Sequence, residues 1–176
     1  EIIEKLIKQG YKKDNVYSKL GDYKSFKIEE NKNIKYQFEG SFDSSYSLAI
    51  LNRNAALAYE KYFPNQVSLY SMEGFGDFEP NREFLKKNSN IKKLWEKSKK
   101  AIEAEITFRN IYPPKVSGMK SQFNILNSYG WEESSFPKEY VKNFNQNLSG
   151  IIAVSNYVKD VLVNNGVNIP IKVISN

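Results

Sequence analysis

KYQFEGSFDSSYSLAILNRNAALAYEKYF, residues 35–63, changes its period at one corner. Before the corner, Tyr36 and Phe38 alternate with Lys35, Gln37 and Glu39, the two-residue period of a strand over about Ile34–Phe38. After it, Leu48, Leu51, Ala55, Ala58 and Tyr62 recur at intervals of three and four. That spacing predicts a helix over about Ser44–Tyr62, with Asp43, Ser44 or Ser45 as its N-cap. A strand that enters a helix through Glu39-Gly40-Ser41 is the opening of a β-α-β unit.

The same alternation continues downstream. QVSLYS (66–71) reads as a strand, and PNREFLKKNSNIKKLWEKSKKA (80–101) as a helical region with acidic residues at its front and lysines at its end, the order the helix dipole prefers. A third strand at about Glu105–Phe108 leads to RNIYPPKVSG (109–118), where Pro113-Pro114 and Gly118 call for a surface loop. QFNILNSY (122–129) is a fourth strand, and Pro137 stands at the first helical position of PKEYVKNFNQNL. SGIIAVS is a continuous apolar strand. NYVKDVLVNNG is a helix with Val158, Val161 and Leu162 inward and Gly166 as its cap, before IKVISN returns as a strand. Alternating strands and helices predict an α/β fold, a Rossmann-like doubly wound parallel sheet with helices on both faces. Residues 1–33, a short amphipathic helix followed by a polar stretch, read as an N-terminal extension or the tail of a preceding module, and 34–176 as the domain itself.

Composition narrows the chemistry. The 176 residues contain no Cys and no His, which excludes disulfides, thiolate or histidine metal sites and Ser-His-Asp or Cys-His catalysis. Any acid or base must be a carboxylate, Lys or Tyr. No apolar run reaches the ~18–20 residues of a membrane span, and the charged N-terminal stretch is unlike a signal peptide, so the expected location is cytoplasmic, with at most peripheral membrane association. The net charge of +6 rests largely on lysines interleaved with Ile91, Leu94, Trp95 and Ser98, a solvated helix face rather than a nucleic-acid surface.

Two corners fall where parallel sheets bind ligands, beyond the carboxyl ends of strands. Gly40 and Ser41, ahead of a helix start, have the makings of an anion cradle from backbone N–H groups and the helix dipole. The same residues serve equally as a plain strand-to-helix turn. Glu73, Gly74 and Gly76 form a second corner, lined by Phe75 and Phe78, that suits a sugar ring or is an ordinary loop.

FEGSFDSSYSLAILNRNAAL, SLYSMEGFGDFEPN, RNIYPPKVSGM, NSYGWEESSFP and GIIAVSNYVKDVLVNNGVNIPIKVISN, in this order over 34–176, resemble the N-terminal half of a bacterial GT-B glycosyltransferase of family 4. The resemblance implies a retaining enzyme, active in polysaccharide biosynthesis, that moves a sugar from a nucleotide-diphosphate sugar to a saccharide or glycan acceptor. The acceptor is held mainly by this domain and the donor by a C-terminal domain of the same chain, beyond Asn176, without which the fragment is expected to be inactive. No cofactor, metal or nucleic acid is implied.

By position, the resemblance places Gly40 and Ser41 near the donor diphosphate, and Asp43, Ser44, Tyr46, Glu73, Gly74, Arg109, Asn110 and Trp131 around the acceptor. Where relatives carry a catalytic-site His, this sequence has Tyr129-Gly130-Trp131-Glu132-Glu133, with Tyr129 or Glu132 as stand-ins. The planar fork of Arg109 suits phosphate or carboxylate, or an ion pair with Glu132 or Glu133. Trp131 stacks on a sugar or fills a core. The alternative to the enzyme is a non-catalytic Rossmann-like module that binds a saccharide or a protein within a multidomain chain.

Overall fold

The computed structural model describes residues 34–73, 76–100 and 103–175. The segment 1–33 and Gly74 lie outside the described residues. Strands β1 (Tyr36–Glu39), β2 (Val67–Tyr70), β5 (Ile106–Arg109), β6 (Phe123–Tyr129), β7 (Gly150–Ala153) and β8 (Ile171–Val173) make one sheet in the order β2-β1-β5-β6-β7-β8. The pairs β1–β2, β1–β5, β5–β6 and β7–β8 are parallel. The chain is therefore α/β, with a parallel sheet flanked by helices. The second corner, expected as a loop, contains a short antiparallel pair, β3 (Met72–Glu73) and β4 (Gly76–Asp77).

β1 has β2 on one side and β5 on the other, so the winding reverses there and the loops leaving β1 and β5 diverge. That is the topological switch point, and Gly40 and Asn110 are the first residues beyond it on either strand.

Packing divides the chain into two compact units, one of them Asn33–Asn127 and the other containing Ser128–Asn176. In the first, helix α1 (Ser47–Tyr62) packs on β1 and β2. Its Tyr59 ring meets Tyr36, Phe38 and Phe108 edge-on at 5.5, 5.0 and 5.3 Å between centroids, and Phe38 stacks on its register partner Phe108 at 5.0 Å. Edge-to-face aromatic packing of this kind adds about 0.5–1.5 kcal/mol per pair beyond area burial. The buried face of α1 is Ala49, Asn52 and Ala56, one residue away from the predicted stripe, and Tyr62 is 74% exposed. The shift has a physical reason. Two alanines let the helix approach the sheet closely, and Asn52 occupies the centre because its amide satisfies loop carbonyls. The helix also starts later than predicted, with Tyr46 at the N-cap and no capping side chain.

The Lys-rich region is two helices, α2 (Arg82–Lys87) and α3 (Ser89–Ser98), broken at Asn88, whose Nδ2 donates to the carbonyl of Phe84 at 2.8 Å. Ile91 and Leu94 of α3 are buried and its lysines 92 and 93 exposed, as their spacing predicts. The loop after β5 is only partly at the surface, because Ile111 and Val116 are 5% and 2% exposed.

In the second unit, α4 (Lys138–Asn147) follows Pro137, which is the N-cap rather than the first helical residue. Helix α5 (Asn156–Asn164) buries Val158, Val161 and Leu162, is capped by Ser155, and is followed by Gly166 at φ 99°, a conformation glycine adopts without strain. Asparagine side chains bind the connections: Asn165 Nδ2 donates to the carbonyl of Ser134 at 3.1 Å, and Asn145 Nδ2 to that of Gly166 at 2.9 Å.

Candidate functional site

The corner after β1 is built around Asn52. Its Nδ2 donates to the carbonyl of Ser41 at 2.9 Å and to that of Asn110 at 3.0 Å, joining the two loops of the switch point. Gly40 lies against this amide at φ 151°. A Cβ there would overlap Asn52 Nδ2 and sit 2.5 Å from the Asn110 carbonyl, so only glycine fits. The Gly40 N–H donates to the carbonyl of Tyr70 at 3.1 Å, and Ser41 is buried. The close approach that demands a glycine is thus made by the chain's own side chain.

Further bonds fix the start of α1. Arg53 Nη1 donates to the carbonyls of Phe42 and Ser44 at 3.1 and 2.6 Å. Asp43 Oδ2 accepts from the N–H of Asn81 at 2.6 Å, and Asn81 Oδ1 caps α2 by accepting from the N–H of Phe84. Tyr46 donates its hydroxyl to Glu73 Oε1 at 3.0 Å, and burial, more than Glu73, pushes the phenol pKa upward. Nδ2 of Asn110 and Oγ of Ser71 are buried without a hydrogen-bond partner among the described residues. Two rings stand exposed on the connections that leave β1 and β5, Tyr46 at 41% and Tyr112 at 68%, and a third, Phe78 at 42%, directly follows β4 of the antiparallel pair.

Arg109 turns away from this corner, onto the polar side of the strands. β1 and β5 pair Glu39 with Arg109, and Arg109 Nε lies 2.6 Å from Glu39 Oε2 with both side chains buried. Its ion pair is therefore with Glu39, not with Glu132 or Glu133, because register partners on neighbouring parallel strands share a face. Arg109 Nη1 also donates to the carbonyls of Lys115 and Ser117 at 2.8 and 3.2 Å, fixing the loop that carries Tyr112. The pair and Thr107 floor an open pocket of about 500 Å³, with Gln37, Tyr70, Asp77 and Glu105 among its walls. Tyr70 has its pKa pushed up to about 12, first by its hydrogen bond to Asp77 and then by burial.

Tyr129, Trp131 and Glu132 belong to the second unit. Tyr129 is buried, with its ring edge-on to Phe144 at 5.6 Å. Trp131 donates Nε1 to the carbonyl of Ser135 at 2.9 Å and packs edge-on against Phe136 at 4.8 Å, as a core-type aromatic does. Glu132 is exposed, and its carbonyl accepts from the Tyr157 hydroxyl at 3.1 Å.

Glu39, Asn52 and the Tyr70–Asp77 pair were not singled out by the sequence reading. The available signals were an amide inside an apolar helix stripe, and a carboxylate and a guanidinium each ending an alternating strand. Among the described residues, no group of three or more His, Cys, Asp or Glu could hold a metal ion, and no helix is long and apolar enough to cross a membrane. No family model, curated protein or solved structure matches the chain.

Proposed function

We propose that this chain is the acceptor-holding half of a GT-B-type retaining glycosyltransferase, working with a nucleotide-diphosphate sugar as donor and a saccharide as acceptor. The observation that carries this reading is a pair of exposed rings, Tyr46 and Tyr112, on the connections that leave the switch-point strands β1 and β5, with Phe78 exposed beyond the β3–β4 hairpin that follows β2. Aromatic faces stack on the C–H faces of sugars, and the bond network of Asn52, Arg53 and Asp43 supports the loops so that little order is lost on binding. Ser41 and Asn110 are buried beneath the corner, and in this reading the donor diphosphate meets the start of α1 above them. Gly40 shapes the corner, and its own N–H is committed to Tyr70.

That commitment favours one second reading, a saccharide-binding module with no transfer chemistry, which needs the rings but no open phosphate cradle. Nucleotide release from a panel of nucleotide sugars, measured on the full-length protein with a mixture of saccharide acceptors, separates the two. Acceptor-dependent release that falls on Tyr112→Ala supports the transferase. Saccharide binding by a folded protein that releases no nucleotide across the panel leaves the binding module.

A further inference from the structure

We infer that the pocket over the polar side of β1 and β5 binds a small polyhydroxylated ligand that carries a primary ammonium group, a hexosamine being the simplest case. None of the three exposed rings, nor Gly40 or Asn52, lines this pocket, so it is a separate site, and the inference does not depend on sugar transfer.

Size and chemistry point the same way. A volume of about 500 Å³ lies within the range of small-ligand sites. The floor is Thr107 and the buried Glu39–Arg109 pair, whose Glu39 Oε1 also accepts from Gln37 Nε2 at 2.8 Å, so the floor is rigid and already neutralised. Arg109 already gives Nε to Glu39 and Nη1 to two backbone carbonyls, and its charge is matched by Glu39, so an anion there competes with a formed pair.

The walls decide the sign. Asp77, Glu103 and Glu105 face Lys120 alone, leaving the lining two charges negative in total once the floor pair is counted as neutral. Glu105 Oε2 accepts from the N–H of Lys35 at 2.7 Å, so this carboxylate is positioned rather than free to swing away. An ammonium group completes the acidic wall, while the amide of Gln122 offers both donors and an acceptor to hydroxyl groups. A phosphate or carboxylate at the same place meets three like charges and a guanidinium already paired with Glu39.

The test is a calorimetric titration of the whole chain with glucosamine, N-acetylglucosamine, glucose 6-phosphate and ethanolamine. The expected order is glucosamine about tenfold tighter than its uncharged N-acetyl form, the size of one partly solvated ion pair, with the phosphate sugar weakest. Asp77→Asn with Glu103→Gln brings glucosamine down to the N-acetyl value. Lys120→Gln moves the affinity upward, an effect that a misfolded variant does not produce. Equal affinity for the charged and uncharged sugars, preference for glucose 6-phosphate, or no glucosamine binding by the folded chain overturns the inference. Ethanolamine binding as tightly as glucosamine overturns its polyol part.

Discussion

Arg109 Nε lies 2.6 Å from Glu39 Oε2, and the two residues are register partners at the ends of β5 and β1. Removing one member leaves the other buried and unpaired, a loss of about 3–5 kcal/mol, whereas removing both in favour of apolar groups is close to neutral. Arg109→Met is therefore expected to lower the unfolding free energy by about that amount. The double variant Glu39→Leu with Arg109→Met recovers the part that comes from the unpaired charge, while the loss from the Lys115 and Ser117 carbonyls remains. Urea unfolding of the two singles and the double checks the cycle. Single losses that simply add in the double variant contradict a coupled pair.

The corner at Gly40 gives a second cycle. Gly40→Ala places a Cβ against Asn52 Nδ2 and the Asn110 carbonyl in a backbone region that costs a non-glycine residue about 1–3 kcal/mol on its own. Asn52→Ala strands the carbonyls of Ser41 and Asn110, at about 1–3 kcal/mol. The double variant should lose less than the sum, because the amide that the added methyl group would strike is gone. Thermal unfolding of the three variants provides the comparison.

How much of this was legible in the sequence follows from what each residue answers to. The order along the chain of the six strands of the main sheet and their helices was, apart from the β3–β4 pair, since period depends only on which face is buried, and Val158, Val161 and Leu162 are buried as their spacing predicts. The stripe of α1 was misplaced by one residue because Asn52 is polar by composition and buried by partnership, and its partners lie 11 and 58 residues away. Arg109 was recognised as a residue that needs an anion, but its partner is set by strand order, which one sequence does not display. The site at Gly40 was legible as a glycine requirement and illegible as to cause. A ligand phosphate and a neighbouring side chain ask the same thing of the backbone.

Tyr70 supplies a pH prediction. Its pKa is raised from 10.0 to about 12, chiefly by the hydrogen bond to Asp77, so between those values the unfolded chain loses a proton that the folded chain keeps. The stability that this bond contributes is complete below pH 10 and is lost as pH rises toward 12. Asp77→Asn should bring the Tyr70 titration back toward the ordinary phenol range, seen as an earlier rise in tyrosinate absorbance. Tyr70→Phe should remove that titration and flatten the alkaline fall in stability. An unchanged tyrosinate curve in Asp77→Asn tells against the bond.

Tyr112 and Trp131 set sugar stacking against packing. Tyr112 is 68% exposed, on a loop held from beneath by Arg109, so Tyr112→Ala removes a largely exposed ring. Its expected effect is a weaker saccharide affinity, by about three- to tenfold for one lost aromatic contact, with an unfolding midpoint close to that of the parent. Trp131, by contrast, is fastened through Nε1 to the Ser135 carbonyl and lies against Phe136 and Tyr140 at 4.8 and 6.5 Å. Trp131→Ala should therefore lose about 2–4 kcal/mol of stability, in the range of large core truncations discounted for its partial exposure. Its saccharide affinity, measured below the unfolding transition, should hold. Denaturant unfolding and saccharide titration of both variants decide the assignment, and a Trp131→Ala chain that is stable yet blind to sugar reverses it.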